Sequence, residues 1–261
     1  MALHITRYHN PQASEPPLVM LHGWGLHSGI WDPVLPRLRQ HFRVTCIDLP
    51  GHGGSRGWEE GFDLDAAAAA VLEVAPRRAA WLGWSLGGQV ALAAAATYRE
   101  RVSRLVLAAT TPRFVTGPGW PCGVSPEVLA GFSASLASDY RKTVGDFLTL
   151  QVRGDSHAAA LLRQLRETVF ERGVPEQGAL RSGLAVLGDA DLRPVLHTIF
   201  QPAFVFSGQR DRLTPPEAGR RMARALPSAR FHMSPAAAHA PFLSHPGEFV
   251  DLVTEFLEED G

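Results

Sequence analysis

The sequence has few cysteines, and their spacing excludes two classes of site. Cys46 and Cys122 are the only two in 261 residues, so the chain cannot carry the disulfide framework of a small secreted domain. They form no Cys-x-x-Cys motif, which excludes the usual cysteine-based zinc and redox sites. Cys46 lies in an apolar run and is expected to be a small buried residue. We therefore expect a protein of the reducing cytoplasm.

The sequence also lacks an excess of charge and long apolar segments. Its 25 Lys and Arg residues against 26 Asp and Glu give a net charge of −1, without the basic patch typical of nucleic-acid binding. The first residues, MALHITRYHN, contain no apolar core of a signal peptide. Charged residues interrupt the alanine-rich runs before they could span a bilayer. We expect no nucleic-acid partner, no membrane partner and a monomeric chain.

What the sequence does contain is an alternation of short apolar runs with helical patterns. The runs, predicted as buried strands, are 16–23, 42–51, 79–85, 104–112, 202–211 and 229–239. Helical patterns lie between the earlier runs at 29–40, 63–75 and 85–98. Continuous apolar strands that alternate with helices favour an α/β fold with a mostly parallel central sheet flanked by helices.

One interval interrupts this alternation. Between Pro112 and about Arg193 the sequence shows helical stretches in place of strand-like runs, namely 125–138, 140–151, 156–170 and 175–188. Ser125 before Pro126 predicts a helix start, and Gly188 predicts a helix stop. An insertion of about 80 residues is far longer than an ordinary connection. We therefore predict a core of residues 1–111 and 192–261 with an inserted helical cap, or lid, over residues 112–191.

A serine lies where the third apolar run meets the following helix, in Gly83-Trp84-Ser85-Leu86-Gly87. A Gly-x-Ser-x-Gly motif between a strand and a helix is typical of a nucleophile elbow, a tight turn that exposes the serine hydroxyl. The alternative is a plain turn in which Ser85 caps the helix. The flanking strand and helix favour the first interpretation, and we predict Ser85 as a catalytic nucleophile.

A serine hydroxyl needs a base, usually a histidine oriented by a carboxylate in the chain order Ser, acid, His. His239 lies in a small-residue loop directly after the last strand-like run. His232 lies inside that run, and His245 precedes Pro246 at a predicted helix start. The loop position favours His239 as the base.

The carboxylate should follow a strand between the serine and the histidine. Asp211 follows the run AFVFSG, whereas Asp189 and Asp191 follow a predicted helix and are alternatives. Asp48 also follows a strand, but it precedes Ser85 in the chain. We predict Asp211 as the acid, and Asp48 as a loop residue that bonds backbone N–H groups.

An oxyanion hole needs a second backbone donor from the loop after an early strand. The segment LHGWG (21–25) predicts the N–H of Trp24 in this role, beside the N–H of Leu86 after the nucleophile. The Trp24 side chain is then a candidate wall of the acyl pocket, or simply a packing aromatic. His22 and His27 have no carboxylate or cysteine partner at ligand spacing, and we expect neither a metal nor a cofactor.

The motifs LHGWG, DLPGHGGS, GWSLGG, a strand-end Asp and a loop His occur in an order that resembles the α/β-hydrolase superfamily over nearly the whole chain. LHGWGLHSGIW, WLGWSLGGQVA, DFLTLQ and AAHAPFLSHP more narrowly resemble the pimeloyl-acyl carrier protein methyl ester esterases of biotin synthesis. The resemblance implies an α/β-hydrolase fold with an inserted cap and the triad Ser85, Asp211 and His239. It implies substrate contacts at Trp24, Ser85, Leu86, Phe147, Leu148, Thr149, Leu150, Gln151 and His239.

The same resemblance implies an acyl carrier protein as partner, bound through basic residues of the cap. Lys142 and Arg163 are the candidates, although Asp146 and other acids interrupt a simple basic face. The motifs also leave open a general short-chain carboxylesterase, a hydrolase of carbon–carbon bonds, or a catalytically inactive binding protein on the same fold.

Overall fold

The structure is a computed structural model that describes residues 2–171 and 173–259. Its sheet has seven strands: β1 Ile5–Tyr8, β2 Ser14–Leu21, β3 Phe42–Ile47, β4 Ala79–Trp84, β5 Val102–Ala108, β6 Ala203–Gly208 and β7 Ala229–Ser234. The α-helices within these residues are α1 Leu35–His41, α2 Leu64–Val74, α3 Leu86–Thr97, α4 Pro126–Ser138, α5 Tyr140–Val152, α6 Ala158–Glu171, α7 Gln177–Asp189, α8 Pro216–Ala225, α9 Pro241–Ser244 and α10 Pro246–Glu258.

The strand order across the sheet is β1-β3-β2-β4-β5-β6-β7. β1 pairs with β3 in the antiparallel sense, and the other neighbours pair in parallel. The residues of β4 and β6 are buried throughout, because helices cover both faces of a parallel sheet and leave no polar face. The predicted α/β fold with a mostly parallel sheet flanked by helices is confirmed.

Three details differ from the sequence prediction. β1 was not predicted, since four residues of mixed polarity give little pattern. α8 was not predicted either, because its buried face consists mainly of small residues, Ala218, Gly219 and Ala223, around Met222. The stretch 29–40 is not one helix but a 3₁₀ turn, Ser28–Trp31, followed by α1.

The helix boundaries within the insertion follow the local signals closely. The Ser125 side chain accepts a hydrogen bond from the Val128 N–H, and α4 begins at Pro126 as predicted. The predicted stop at Gly188 is wrong by one residue, since α7 continues to Asp189. We call α4 to α7, which follow one another between β5 and β6, the inserted helices.

The parallel order places three functionally interesting segments at one edge of the sheet. Ser85 follows β4, Asp211 follows β6, and His239 follows β7, so all three leave the carboxyl ends of parallel strands. Among the described residues, no helix has the length and apolar character needed to cross a membrane.

Candidate active site

Ser85 occupies a strained turn between β4 and α3. Its φ of 54° and ψ of −118° lie outside the usual regions for a residue with a side chain, at a cost of about 1–3 kcal/mol. Its hydroxyl makes no capping bond to α3, which argues against the alternative of a plain helix cap. The backbone is held by the Ser85 N–H donating to Ala108 (3.1 Å) and by the Thr110 hydroxyl donating to the Ser85 carbonyl (2.7 Å).

The two motif glycines make this turn possible. A Cβ at Gly83 would lie 2.4 Å from the Gly87 carbonyl oxygen, and a Cβ at Gly87 would lie 2.5 Å from the His22 carbonyl oxygen. Both distances are far below van der Waals contact, and the obstacles are backbone atoms that cannot rotate away. The turn therefore requires glycine at both positions.

A continuous hydrogen-bond chain joins the three predicted residues. His239 Nε2 lies 3.0 Å from Ser85 Oγ, and His239 Nδ1 lies 2.8 Å from Asp211 Oδ2. All three are buried. A histidine that contacts a serine hydroxyl through one ring nitrogen and a carboxylate through the other can remove the serine proton and stabilise the resulting positive charge.

The Asp211 carboxylate is held by donors from its own loop. Oδ1 accepts from the N–H groups of Leu213 (2.8 Å) and Thr214 (2.9 Å). Oδ2 accepts from the Thr214 hydroxyl (2.7 Å). Thr214 was not identified from the sequence, although an acid followed three residues later by Thr is a pattern that local side-chain-to-backbone bonds favour.

The alternative residues weighed from the sequence make other contacts. His232 Nε2 lies 2.8 Å from a Glu248 carboxylate oxygen in the strand–helix packing, and His245 Nδ1 lies 2.8 Å from the Ser244 hydroxyl. Asp191 pairs with Arg193 at 2.6 Å and Arg113 at 3.0 Å. Hydrogen bonds, first from Arg193 and then from Arg113, lower the pKa of Asp191 to about 2. Asp189 ends α7 and is exposed.

The two predicted oxyanion donors lie on neighbouring segments. A Cβ at Gly23 would lie 3.3 Å from the Ser85 Cβ, so the loop after β2 passes beside the nucleophile. Leu86 is the first residue of α3, and the N–H of a first helical residue has no acceptor within its helix. Helix N-termini favour negative charge, which suits this position to an oxyanion.

The Trp24 side chain joins this loop to the inserted helices. Its indole N–H donates to the Leu180 carbonyl of α7 at 2.9 Å. Its ring packs edge-on against Phe147 of α5, with centroids 4.8 Å apart. A Cβ at Gly183 would lie 2.5 Å from Trp24 Cδ1, so α7 needs glycine where the indole crosses it.

The other predicted substrate positions lie on different faces of α5. Phe147, Leu148 and Gln151 are buried, and Leu150 is half-buried. The Gln151 carbonyl accepts a hydrogen bond from the His239 N–H at 3.0 Å, which brings this end of α5 to the triad. Thr149 is exposed and its hydroxyl donates to the Gly145 carbonyl, so the structure does not bring that side chain to the triad.

The two predicted docking residues lie on the outer surface of the inserted helices. The Lys142 ammonium pairs with Asp146 at 2.6 Å, and both side chains are largely exposed. Lys142 and Asp146 also line a groove together with Arg141, Arg166 and Leu148. Arg163 is exposed on α6.

A buried polar cluster supports the loop that carries Trp24. The His22 Nε2 accepts from the Leu49 N–H at 2.9 Å, while its Nδ1 donates to the Gly23 carbonyl at 2.8 Å. As predicted, Asp48 bonds backbone N–H groups, those of Ser28 (2.7 Å) and Gly54 (2.9 Å). Burial acts to raise the pKa of Asp48, but His22 and these bonds outweigh it and lower the pKa to about 2.

Lowering the pH from 7 to 5 is expected to reduce the free energy of unfolding by about 4 kcal/mol through His22 and His52. Burial lowers the pKa of His22 to about 3 and that of His52 to about 4, against about 6.5 in an unfolded chain. At a pH between the folded and the unfolded pKa of each histidine, the unfolded state binds more protons than the folded state, so acid favours unfolding. Urea titrations at both pH values measure the change.

The variant His52→Asn should remove about half of this pH dependence, because an amide can still donate to the Pro50 carbonyl that His52 Nδ1 contacts. His9→Gln is the matched control, since His9 is exposed. An unaltered pH dependence in His52→Asn would contradict the explanation.

The chain matches known proteins over most of its length. Residues 16–246 match the family model of the alpha/beta hydrolase fold. The chain is 44% identical over 235 residues to a pimeloyl-acyl-carrier protein methyl ester esterase of Nitrosomonas europaea, covering 90% of this chain and 93% of that protein. It is 45% identical over 242 residues to the protein of that name in Methylococcus capsulatus, covering 93% and 94%.

An esterase structure from Exiguobacterium antarcticum superposes with a TM-score of 0.87 at 22% identity, covering 98% of this chain and 96% of the other. At that identity the likeness concerns the fold alone. The model match and the two relatives each extend over most of the chain. The chain therefore belongs to the alpha/beta hydrolases and, within them, to the family of the pimeloyl-acyl-carrier protein methyl ester esterases.

Proposed function

We propose that this chain is a cofactor-free serine carboxylesterase that hydrolyses the methyl ester of pimeloyl-acyl-carrier protein in biotin biosynthesis. The products are pimeloyl-acyl-carrier protein and methanol. The observation that carries the proposal is the buried chain of contacts from Ser85 through His239 to Asp211, at 3.0 and 2.8 Å. The substrate class is supported by the names of relatives at 44% and 45% identity.

The reaction follows from the order of these contacts. Ser85 Oγ attacks the ester carbonyl carbon while His239 Nε2 takes the hydroxyl proton. The tetrahedral intermediate collapses, and the imidazolium returns the proton to the leaving methoxide. A water molecule, deprotonated by the same nitrogen, then hydrolyses the acyl-enzyme and frees Ser85. Asp211 accepts the hydrogen bond of the Nδ1–H throughout and stabilises the positive charge on the ring.

The N–H groups of Trp24 and Leu86 are the proposed oxyanion donors. They belong to the two segments that lie beside Ser85, the loop after β2 and the start of α3. A fixed donor stabilises the tetrahedral oxyanion without reorganisation, and losing one such donor costs about 100- to 1,000-fold in turnover.

We assign residues 112–191 to a cap over this site. Three contacts support the assignment: Trp24 with Leu180, Trp24 with Phe147, and the His239 N–H with the Gln151 carbonyl. An apolar wall that contains Trp24 and Phe147 suits the methylene chain of a pimeloyl group. Leu86, Leu148, Leu150 and Gln151 are the other proposed substrate contacts. The Thr149 side chain is exposed, and we do not propose it as a contact.

The carrier protein is proposed to dock on the outer face of α5 and α6. Lys142 and Arg163 are exposed there, and Arg141 and Arg166 lie with Lys142 along one groove. These cations would attract an acidic carrier, with Asp146 opposing them. The compartment we propose is the reducing cytoplasm, because Cys46 and Cys122 are not joined in a disulfide.

The test compares two substrates, the methyl ester of pimeloyl-acyl carrier protein and a short p-nitrophenyl ester. Wild-type protein should hydrolyse the carrier-bound ester with the higher kcat/KM, and Ser85→Ala should hydrolyse neither. Turnover of the short ester alone would leave a general short-chain carboxylesterase and overturn the assigned substrate. Failure to hydrolyse either ester would overturn the proposed function altogether.

A further inference from the structure

The loop that precedes the catalytic base can form hydrogen bonds only through its backbone. Between β7 and His239 the chain reads Pro235-Ala236-Ala237-Ala238, and none of these side chains has a polar atom. The direction of the imidazole therefore depends on the backbone of Ala238 and His239, and on the groups that bond it.

Two carbonyl groups of this loop are held by the hydrolase core. The Ala237 carbonyl accepts from the Arg210 N–H at 3.0 Å, directly beside Asp211. The His239 carbonyl accepts from the Trp84 indole N–H at 2.8 Å, directly beside Ser85. These bonds tie the loop to the segments that carry the other two members of the triad.

Two N–H groups of the same loop are held by the segment that runs from α5 to α6. The His239 N–H donates to the Gln151 carbonyl at 3.0 Å, near the end of α5. The Ala238 N–H donates to Asp155 Oδ2 at 2.9 Å. Asp155 lies between α5 and α6, and its side chain is 1% exposed.

Both oxygens of the Asp155 carboxylate accept a hydrogen bond from a backbone N–H group. Oδ1 accepts from the His157 N–H at 2.8 Å, a local bond at the start of α6. Oδ2 reaches the loop of the base, 83 positions along the chain. A hydrogen bond to a charged acceptor is about twice as strong as a neutral one, and a buried carboxylate is retained only where such bonds compensate its desolvation. The local bond from the His157 N–H compensates the desolvation of Oδ1 alone, and the bond from the Ala238 N–H compensates that of Oδ2.

We infer that Asp155 is a positioning residue, which fixes the backbone next to His239 so that the imidazole faces Ser85. The inference rests on the proposed triad. It extends that proposal by making the inserted segment part of the support of the base, in addition to covering the substrate. Asp155 touches no reacting atom, so its effect must pass through the geometry of His239.

The experiment measures Asp155→Ala on a short p-nitrophenyl ester, which needs no carrier protein. A displacement of about 1 Å at a reacting group can cost about 100-fold in rate, so kcat should fall by about 10- to 100-fold while KM changes little. The rate of labelling of Ser85 by a serine-directed phosphonate should fall in parallel. The downfield NMR resonance of the proton between His239 Nδ1 and Asp211 should broaden or disappear.

Asp139→Ala is the matched control. Asp139 is another acid of the inserted helices whose carboxylate accepts a backbone N–H, that of Lys142 at 3.0 Å, at the start of α5. The Asp139 side chain is exposed, so its removal should weaken the start of α5 and leave kcat and the downfield resonance unchanged. Asp155→Asn retains one acceptor oxygen for two donors and should give an intermediate kcat, and it serves as the readout if Asp155→Ala does not fold.

Two results would overturn the inference. One is a kcat within about twofold of the control in Asp155→Ala with an unaltered downfield resonance. The other is a loss of kcat in Asp139→Ala as large as that in Asp155→Ala, which would indicate general loosening of the helices. If wild-type protein hydrolyses the short ester but not the carrier-bound ester, the assigned substrate fails and this test still stands.

Discussion

Replacing Ser85 by Ala is expected to lower kcat for ester hydrolysis by about 10⁵- to 10⁶-fold. Ser85 Oγ is the atom that His239 Nε2 contacts at 3.0 Å, and an alanine offers no nucleophile at that place. The Cβ is retained, so the strained backbone at φ 54° remains equally strained and the fold should be unaffected. Kinetics with the p-nitrophenyl ester and covalent labelling with a phosphonate measure the loss.

Ser103→Ala is the matched control for this variant. Ser103 lies on β5, and its hydroxyl has no hydrogen-bond partner among the described residues. Its removal should leave both activity and labelling unchanged. Phosphonate labelling of Ser85→Ala at the wild-type rate would place the nucleophile elsewhere and remove the basis of the proposed reaction.

Replacing Asp211 by Asn is expected to lower kcat by about 10⁴-fold without unfolding the protein. The N–H groups of Leu213 and Thr214 both point at Oδ1, so an asparagine must place its carbonyl oxygen there. Its NH₂ group then takes the position of Oδ2 and faces His239 Nδ1, 2.8 Å away. Nδ1 must become the acceptor, which places the ring proton on Nε2. A protonated Nε2 cannot take the proton of Ser85.

Asp189→Asn provides the control. Asp189 is an alternative acid in the sequence analysis, and in the structure it is exposed at the end of α7. Its activity should equal that of the wild type. Steady-state kinetics and thermal unfolding of both variants separate a chemical loss from a structural one. If Asp211→Asn kept more than about a tenth of the wild-type kcat, the tautomer argument would be wrong.

Local sequence signals determined much of the fold and of the site. Strands buried on both faces appear as continuous apolar runs, and this pattern alone predicted the parallel sheet. The elbow could be predicted because its turn excludes side chains at Gly83 and Gly87, where a Cβ would lie within 2.5 Å of backbone atoms. The chain order of serine, acid and histidine then restricted the partners to a few residues.

Tertiary structure alone decided which of those residues meet. Asp211 and Asp191 both follow predicted elements. The parallel pairing of β6 with β7 brings Asp211 to the His239 ring, whereas Asp191 pairs with Arg193, two residues further along the chain. The small strand β1 and the small-residue face of α8 are stabilised by what packs on them, and their own residues give little pattern.

The support of the base depends most strongly on tertiary contacts. Asp155 and Ala238 are separated by 83 positions, and Trp84 and His239 by 155. Every residue other than proline carries the same backbone N–H and C=O groups, so no sequence pattern indicates which distant side chain will bond them. The sequence by itself determined the chemistry of the site, while the packing of the inserted helices on the core decided how that chemistry is held in place.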